Sequence, residues 1–120
     1  MLNHVERVED VAAFMRSART AGLHIPVIAS PVVYTDAVSA AVLQGLPGIE
    51  LSTTSVDSIL DSPDPITAGI DAAVTKAEQL LVIDGIEGVD LSGLASARGY
   101  LHAAEIKAEI GTRIRAQVST

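Results

Sequence analysis

The sequence contains no cysteine, which excludes a disulfide framework and any metal site built from thiolates. Aromatic residues are nearly missing as well, because Phe14, Tyr34 and Tyr100 are the only three. The core must therefore be built from Val, Ile, Leu and Ala, a set that suits parallel strands covered by helices.

Positive charge is scarce, since 8 basic side chains stand against 15 acidic ones and the net charge is −7. Such a surface repels phosphate backbones and anionic lipids, so neither nucleic acid nor a membrane is an expected partner. No apolar run approaches the roughly 20 residues that span a bilayer. The first residues also lack the basic flank and apolar block of a signal peptide. These features predict a cytoplasmic protein.

Apolar periodicity predicts strands and helices in alternation. In order, the predicted elements are a strand over 1–5, a helix over about 7–21, a strand over 25–29, a helix over 36–44 capped by Thr35, an extended piece over 49–51, one or two helical turns over 55–61, a long helix from 65 to near Gly85, a strand over 89–92 and a helix over 101–116. The start of the long helix is signalled most clearly, by Asp64 as cap and Pro65 at the first helical position. In the last helix, Glu109 and Arg113 are predicted to form an ion pair on the outer surface.

This alternation predicts an α/β fold with a parallel sheet built from βα units. A complete (β/α)₈ barrel of the TIM type needs about 250 residues. The 120 residues open in a strand and close on a helix. We therefore expect residues 1–120 to form one partial-barrel domain, the C-terminal part of such a barrel with about three strands.

Strand alternation predicts which side chains face the barrel axis. In the strand over 89–92, Val89 and Leu91 should point outward to the helices, and Asp90 and Ser92 inward. If Val5 lies with Asn3 on one side of the first strand, Asn3 also points inward, near the C-terminal end of that strand.

Catalytic groups in such barrels lie at the C-terminal ends of the strands. A polar inner rim of Asn3, Ser30, Asp90 and Ser92 is therefore a candidate ligand-binding surface. The alternative, given about even weight, is a hydrated rim that only satisfies its own backbone.

The remaining motifs are weaker indications of a functional site. The run 93–99 resembles a phosphate cradle only loosely because no Lys-Ser/Thr pair follows it, and an ordinary loop is the favoured interpretation, with Arg98 available to an anionic group. The three histidines, His4, His24 and His102, show no metal-ligand spacing and are interpreted as surface residues. No metal site and no catalytic residue is predicted.

Four segments occur in an order typical of one enzyme family. Residues 22–30 read GLHIPVIAS, 46–51 read LPGIEL, 64–70 read DPITAGI and 85–91 read GIEGVDL. They resemble, in this order, the last strands and the long helix of the flavin-dependent methylenetetrahydrofolate reductases. The divergent actinobacterial branch of that family is the most similar, through VYTD at 33–36, LSGLAS at 91–96 and AEIKAEI at 104–110.

The resemblance implies the C-terminal segment of a flavoprotein oxidoreductase that uses FAD and NAD(P)H to reduce 5,10-methylenetetrahydrofolate to 5-methyltetrahydrofolate. Asn3 stands where the family has a folate-contacting Gln, and would hydrogen-bond the pterin edge. Leu94, retained from the family's Tyr-Thr-Leu-Asn-Arg loop, would pack against a ring. Asp90 and Ser92 would shape the pocket wall. The family's FAD-binding residues belong to earlier strands that this chain lacks, so the chain alone is expected to be inactive.

Two other classes of protein remain open. One is a non-catalytic truncated or split fragment whose partner supplies the missing strands. The other is a small α/β binding module that closes by self-association. All of these interpretations predict a homo-oligomer or association with the missing barrel segment.

Overall fold

The computed structural model describes residues 2–49, 51–91 and 96–118, without the side chains of Asn3, His4 and 116–118. The described elements are β1 (Leu2–Val5), α1 (Val8–Thr20), β2 (Val27–Pro31), α2 (Ala37–Gln44), α3 (Thr53–Leu60), α4 (Pro65–Leu81), β3 (Ile86–Val89) and α5 (Tyr100–Val118). The predicted alternation of strands and helices is confirmed, and the chain has an α/β fold. No helix in the described ranges combines the length and apolar character needed to cross a membrane.

The three strands form one parallel sheet in the order β1-β2-β3. Leu2 of β1 lies opposite Ala29 of β2, and Val89 of β3 lies opposite Ala29 from the other side. Each strand therefore lies beside its neighbour in sequence, and all three C-terminal ends meet at one edge of the sheet. The predicted parallel sheet of βα units is confirmed.

The bounds predicted for the third strand are wrong. The strand covers Ile86–Val89 rather than 89–92, and Ile86 pairs with Val27. The sequence did not indicate where this strand begins, because Gly85, Glu87 and Gly88 interrupt the apolar run and such residues disfavour strands. The pairing of β3 with the buried β2 overrides that local preference. The ladder still reaches Asp90, whose backbone N–H donates to the carbonyl of Ala29 at 2.9 Å.

One face of the sheet is covered by α1 and α4. The apolar cluster beneath them joins side chains from all three strands with side chains from both helices: Val5, Val11, Met15, Ala29, Leu80 and Ile86. On the opposite face, Ile28 is 46% exposed. The face around Ile28 is thus only partly covered by the described residues.

A second cluster packs α4 against α5. Ile106, Ile110 and Ile114 project from one side of α5 onto α4. The outer surface carries Arg113, which is 2.9 Å from Glu109 on its own helix and also bonds to Asp71 of α4. The predicted pair of Glu109 and Arg113 is confirmed, and Arg113 ties the two helices together.

A third cluster lies where β2 leads into α2 and α3. Val32, Tyr34, Leu43 and Ile59 are buried together there. The cap of α2 differs from the prediction, because Asp36 rather than Thr35 is the residue that precedes the first helical turn and accepts from the backbone N–H of Ser39 at 2.8 Å. A carboxylate is a strong acceptor for the unpaired amides of a first turn, so Asp36 outcompetes the neighbouring hydroxyl.

Candidate functional site

The polar groups of the candidate site lie at the C-terminal edge of the sheet. Glu6 follows β1, Ser30 lies near the end of β2, and Asp90 follows β3. Because the strands are parallel and adjacent, these three positions share one edge although the chain separates them by up to 84 positions. In parallel α/β sheets this is the edge at which ligands bind.

The structure brings together two of the predicted rim residues, Ser30 and Asp90. Val89 lies opposite Ala29, so Asp90 and Ser30 occupy neighbouring positions on adjacent strands. Ser30 is 1% exposed, and its Oγ has no hydrogen-bond partner in the described part of the chain. Asp90 is half-buried. The rim therefore contains a buried hydroxyl that its own backbone does not satisfy.

The outward face of the third strand is as predicted. Val89 and Leu91 both pack against the apolar cluster that α4 and α5 form. Strand alternation then assigns Asp90, which lies between them, to the opposite face.

For the other predicted site residues, the structure describes no side chain. Ser92 and Leu94 lie outside the described residues, and Asn3 is described only as part of the backbone of β1. Asn3 is predicted to point inward together with Val5, but Val5 does not point inward, because it packs with α1 and α4. The ladder shifts between Leu2 and Val5, so strict alternation does not run through β1. The orientation of Asn3 stays a prediction.

Glu6 is a candidate site residue that the sequence did not single out. It lines two adjoining cavities, of about 670 and 440 Å³, at the end of β1. Its Oε2 is buried and has no hydrogen-bond partner within the described ranges. A glutamate next to Arg7 and ahead of a helix resembles an ordinary surface residue in the sequence, so no local signal identified it.

Tyr34 is a second residue near the site that the sequence did not single out. It is 3% exposed, and burial, followed by the negative charge of Glu6, raises its pKa to about 12. Its phenol is therefore neutral at physiological pH and lies within the field of a carboxylate. The VYTD run contained this residue, but the proximity of Glu6 depends on the pairing of β1 with β2.

Asp36 connects the segment after β2 with the segment after β3. One carboxylate oxygen caps α2, and the other accepts from the backbone N–H of Ala97 at 3.0 Å. Burial alone would raise the pKa of Asp36, but the amides of Ser39 and Ala97 outweigh burial and hold its pKa below the usual value. The carboxylate thus stays ionised and positions both segments at the edge of the sheet.

The loop after β3 also contains a histidine contact. Ser96 Oγ lies 2.6 Å from Nδ1 of His102, and the backbone N–H of Arg98 donates to the same oxygen at 3.1 Å. His102 is half-buried, and Arg98 is exposed. No three His, Asp or Glu side chains of the described ranges are grouped so that they could hold a metal ion.

Comparisons with protein-family models, with curated proteins and with solved structures find no match for this chain. What the chain does is therefore inferred from its own residues and geometry.

Proposed function

We propose that this chain is the C-terminal part of a (β/α)₈ barrel and forms one wall of the substrate site of a flavoprotein oxidoreductase. The reaction proposed is the reduction of 5,10-methylenetetrahydrofolate to 5-methyltetrahydrofolate with NAD(P)H. The observation that best supports the barrel is the strand order β1-β2-β3, parallel, with α1 and α4 over one face. A barrel wall has this arrangement, whereas a doubly wound sheet reverses its strand order and carries helices on both faces.

The open parts of the sheet support the same proposal. Within the described residues β1 and β3 each pair with β2 alone, so each leaves one row of backbone donors and acceptors without a strand. The face opposite the helices exposes Ile28. In a complete barrel, further strands pair with both edges and enclose this face as the barrel interior.

The substrate wall proposed here consists of Asn3, Asp90, Ser92 and Leu94, with Ser30 beside Asp90. The buried Ser30 hydroxyl without a partner supports a polar ligand at this edge, because a buried hydroxyl without a hydrogen bond costs about 1–3 kcal/mol. In this proposal Asn3 donates to the pterin edge, Leu94 packs against a ring, and Asp90 and Ser92 form the polar wall.

The described residues do not fit a flavin dinucleotide. The larger cavity at the edge of the sheet is lined by the carboxylates of Glu6 and Asp10 and by Arg7, whose guanidinium is already paired with Glu9 and Asp10, so no unpaired cation of this cavity is left to bind a diphosphate. Holding FAD therefore falls, in this proposal, to strands outside the chain, and the chain's own share is to place the substrate. No reaction step is assigned to a cofactor held by these residues.

A second candidate is favoured by the two open edges, namely a small α/β binding module that closes its sheet by pairing with another copy. Unpaired parallel edges are ready templates for strand addition. The two candidates differ in what completes the sheet, either the earlier strands of a barrel or a second copy.

Flavin absorbance tests the proposal. The chain is purified alone and after co-expression with the protein segment encoded directly upstream. We expect a colourless chain alone, and a yellow complex with methylenetetrahydrofolate reductase activity after co-expression. Stoichiometric FAD on the chain alone, or a stable complex without flavin, would overturn it. A colourless homo-oligomer that ignores the upstream segment would instead favour the binding module.

Asp90→Ala, with Glu87→Ala as its control, tests the substrate wall in the active complex. Glu87 lies on β3, three positions before Asp90, but is exposed and away from the C-terminal edge. We expect Asp90→Ala to raise the KM for the folate and Glu87→Ala to leave it unchanged. Equal effects of both substitutions would remove Asp90 from the proposed wall.

A further inference from the structure

We propose that the groove beside β1 is a binding site for a small primary alkylammonium, a protonated amine on a short apolar body, with Glu6 as its counter-ion. The groove has a volume of about 670 Å³ and lies between β1, the first turns of α1 and the segment that joins α2 to α3. The inference does not depend on the proposed reductase function.

The walls of the groove are mostly apolar. The hydrocarbon side chains that line it are Leu2, Val5, Val11, Phe14, Ile49 and Leu51. Phe14, a large aromatic side chain, is 49% exposed and lines this groove. Small-molecule sites have this character: a cleft of roughly 300–1,000 Å³ with apolar walls and few polar groups.

The polar groups of the groove define the charge of the ligand. Arg7 already forms ion pairs, since its Nε is 3.2 Å from the carboxylate of Glu9 and 3.6 Å from that of Asp10. Glu6 forms no ion pair with any of the described residues, and its Oε2 is buried without a hydrogen-bond partner. Lys76 lines the adjoining smaller cavity but forms no ion pair with Glu6. Within the described residues, no cationic side chain is therefore bonded to Glu6 in the groove.

An alkylammonium supplies what is missing. Its N–H groups would donate to the Glu6 carboxylate in a charge-assisted hydrogen bond, about twice as strong as a neutral one. Its alkyl chain would pack along Val11, Phe14 and Leu51, which removes its apolar surface from water. Anions are disfavoured by the carboxylate of Glu6, and the net charge of −7 attracts cations to the surface of the protein.

Three probes of equal length separate charge from apolar contact. The chain is titrated with n-pentylammonium, 1-pentanol and pentanoate while the backbone amide resonances of Val11, Ile49 and Leu51 are followed by NMR. We expect saturable shifts with pentylammonium, binding of pentanol that is weaker by about tenfold or more, and none with pentanoate. Pentanol binding as tightly as pentylammonium, or shifts confined to amides elsewhere, would overturn the proposal.

Matched variants test the two parts of the ligand. Glu6→Gln keeps the size of the side chain and should weaken pentylammonium binding about tenfold, whereas Glu87→Gln makes the same change of charge outside the groove and should leave it unchanged. Phe14→Ala should weaken binding of pentylammonium but not of methylammonium. Wild-type affinity in Glu6→Gln would overturn the proposal. If Glu6→Gln fails to fold, the comparison of pentylammonium with pentanol on the wild-type chain decides the matter.

Discussion

Ile110 lies at the centre of the contact between α4 and α5 and is fully buried. Replacing it by Ala leaves a cavity among branched side chains that cannot all move in. We expect Ile110→Ala to lower the free energy of unfolding by about 2–5 kcal/mol, measured by urea denaturation. Thr112→Ala, at an exposed position of the same helix, should change it by less than about 0.5 kcal/mol. A similar loss in both variants would mean that the two faces of α5 are assigned wrongly.

Gly69 is buried in α4 where the helix crosses the segment after β2. A Cβ at this position would collide with the carbonyl oxygen of Tyr34, and backbone atoms cannot rotate away. Gly→Ala within a helix normally stabilises by about 1 kcal/mol, but here the collision reverses the sign. We expect Gly69→Ala to destabilise by about 1–3 kcal/mol in thermal melts.

Gly45 provides the matched control for Gly69. It follows the last turn of α2 with φ −79, and the atom nearest to a Cβ there would be the Ala41 carbonyl oxygen, at an ordinary 3.5 Å. Gly45→Ala should therefore be neutral or slightly stabilising. A stabilising effect of Gly69→Ala would show that α4 does not approach the Tyr34 backbone so closely.

Tyr34 links the stability of the fold to alkaline pH. Its pKa is raised to about 12 in the folded chain, by burial and then by the charge of Glu6, against an unfolded value of about 10. A raised pKa contributes stability that is fully present below pH 10 and is lost as the pH rises through 12, with a slope of up to about 1.4 kcal/mol per pH unit.

The measurement is the free energy of unfolding between pH 9 and pH 12. We expect it to fall less steeply in Tyr34→Phe than in the wild type, because Phe has no proton to lose. Tyr100 is 95% exposed, so Tyr100→Phe should keep the wild-type slope. If Tyr34→Phe and the wild type fall in parallel, the phenol is not buried beside Glu6.

At the scale of elements, Asp36 holds the start of α2 and the loop after β3. Asp36→Ala removes the cap and should cost about 0.5–2 kcal/mol of stability. Asp36→Asn keeps a good capping oxygen but loses the oxygen that accepts from Ala97, so it should fall between Ala and the wild type. Chemical denaturation at pH 7 ranks the three proteins. Equal stabilities of Asn and Ala would assign the whole contribution to the Ala97 contact.

The same carboxylate gives a dependence on acidic pH. Since the amides of Ser39 and Ala97 outweigh burial and lower its pKa, the stability that Asp36 contributes is present above the unfolded pKa of about 3.9. This contribution to stability is lost as the pH falls through the lower pKa that Asp36 has in the folded chain. The stability of Asp36→Asn should therefore fall less than that of the wild type below pH 4, in melts taken between pH 2 and pH 5.

At the scale of the whole molecule, the sheet is the feature that governs assembly. Within the described residues, each of its two edge strands pairs with one strand only, and Ile28 on the face opposite the helices is 46% exposed. We expect the isolated chain to self-associate, since exposed parallel edges pair with other strands. Multi-angle light scattering checks this. A monodisperse monomer would contradict it.

The sequence alone determined which segments are helices and which types of residue form most of the core. Val, Ile, Leu and Ala make up the apolar core almost entirely, and the start of α4 at Asp64 and Pro65 is as predicted. Both depend on local signals, namely apolar periodicity within one element and the chemistry of one helix end. The outward direction of Val89 and Leu91 was also predictable, because alternation along a strand is local.

Only the tertiary structure decided the start of β3, the helix-facing side of Val5 and the residues around the groove. Glu6 acts on Tyr34 across 28 positions, and Asp36 reaches Ala97 across 61. Such contacts arise when strands pair in parallel, and the register of that pairing is set by the packing of helices against the whole sheet. A carboxylate next to a helix start looks the same in the sequence whether it faces water or a groove, so its surroundings, and the chemistry they imply, belong to the fold.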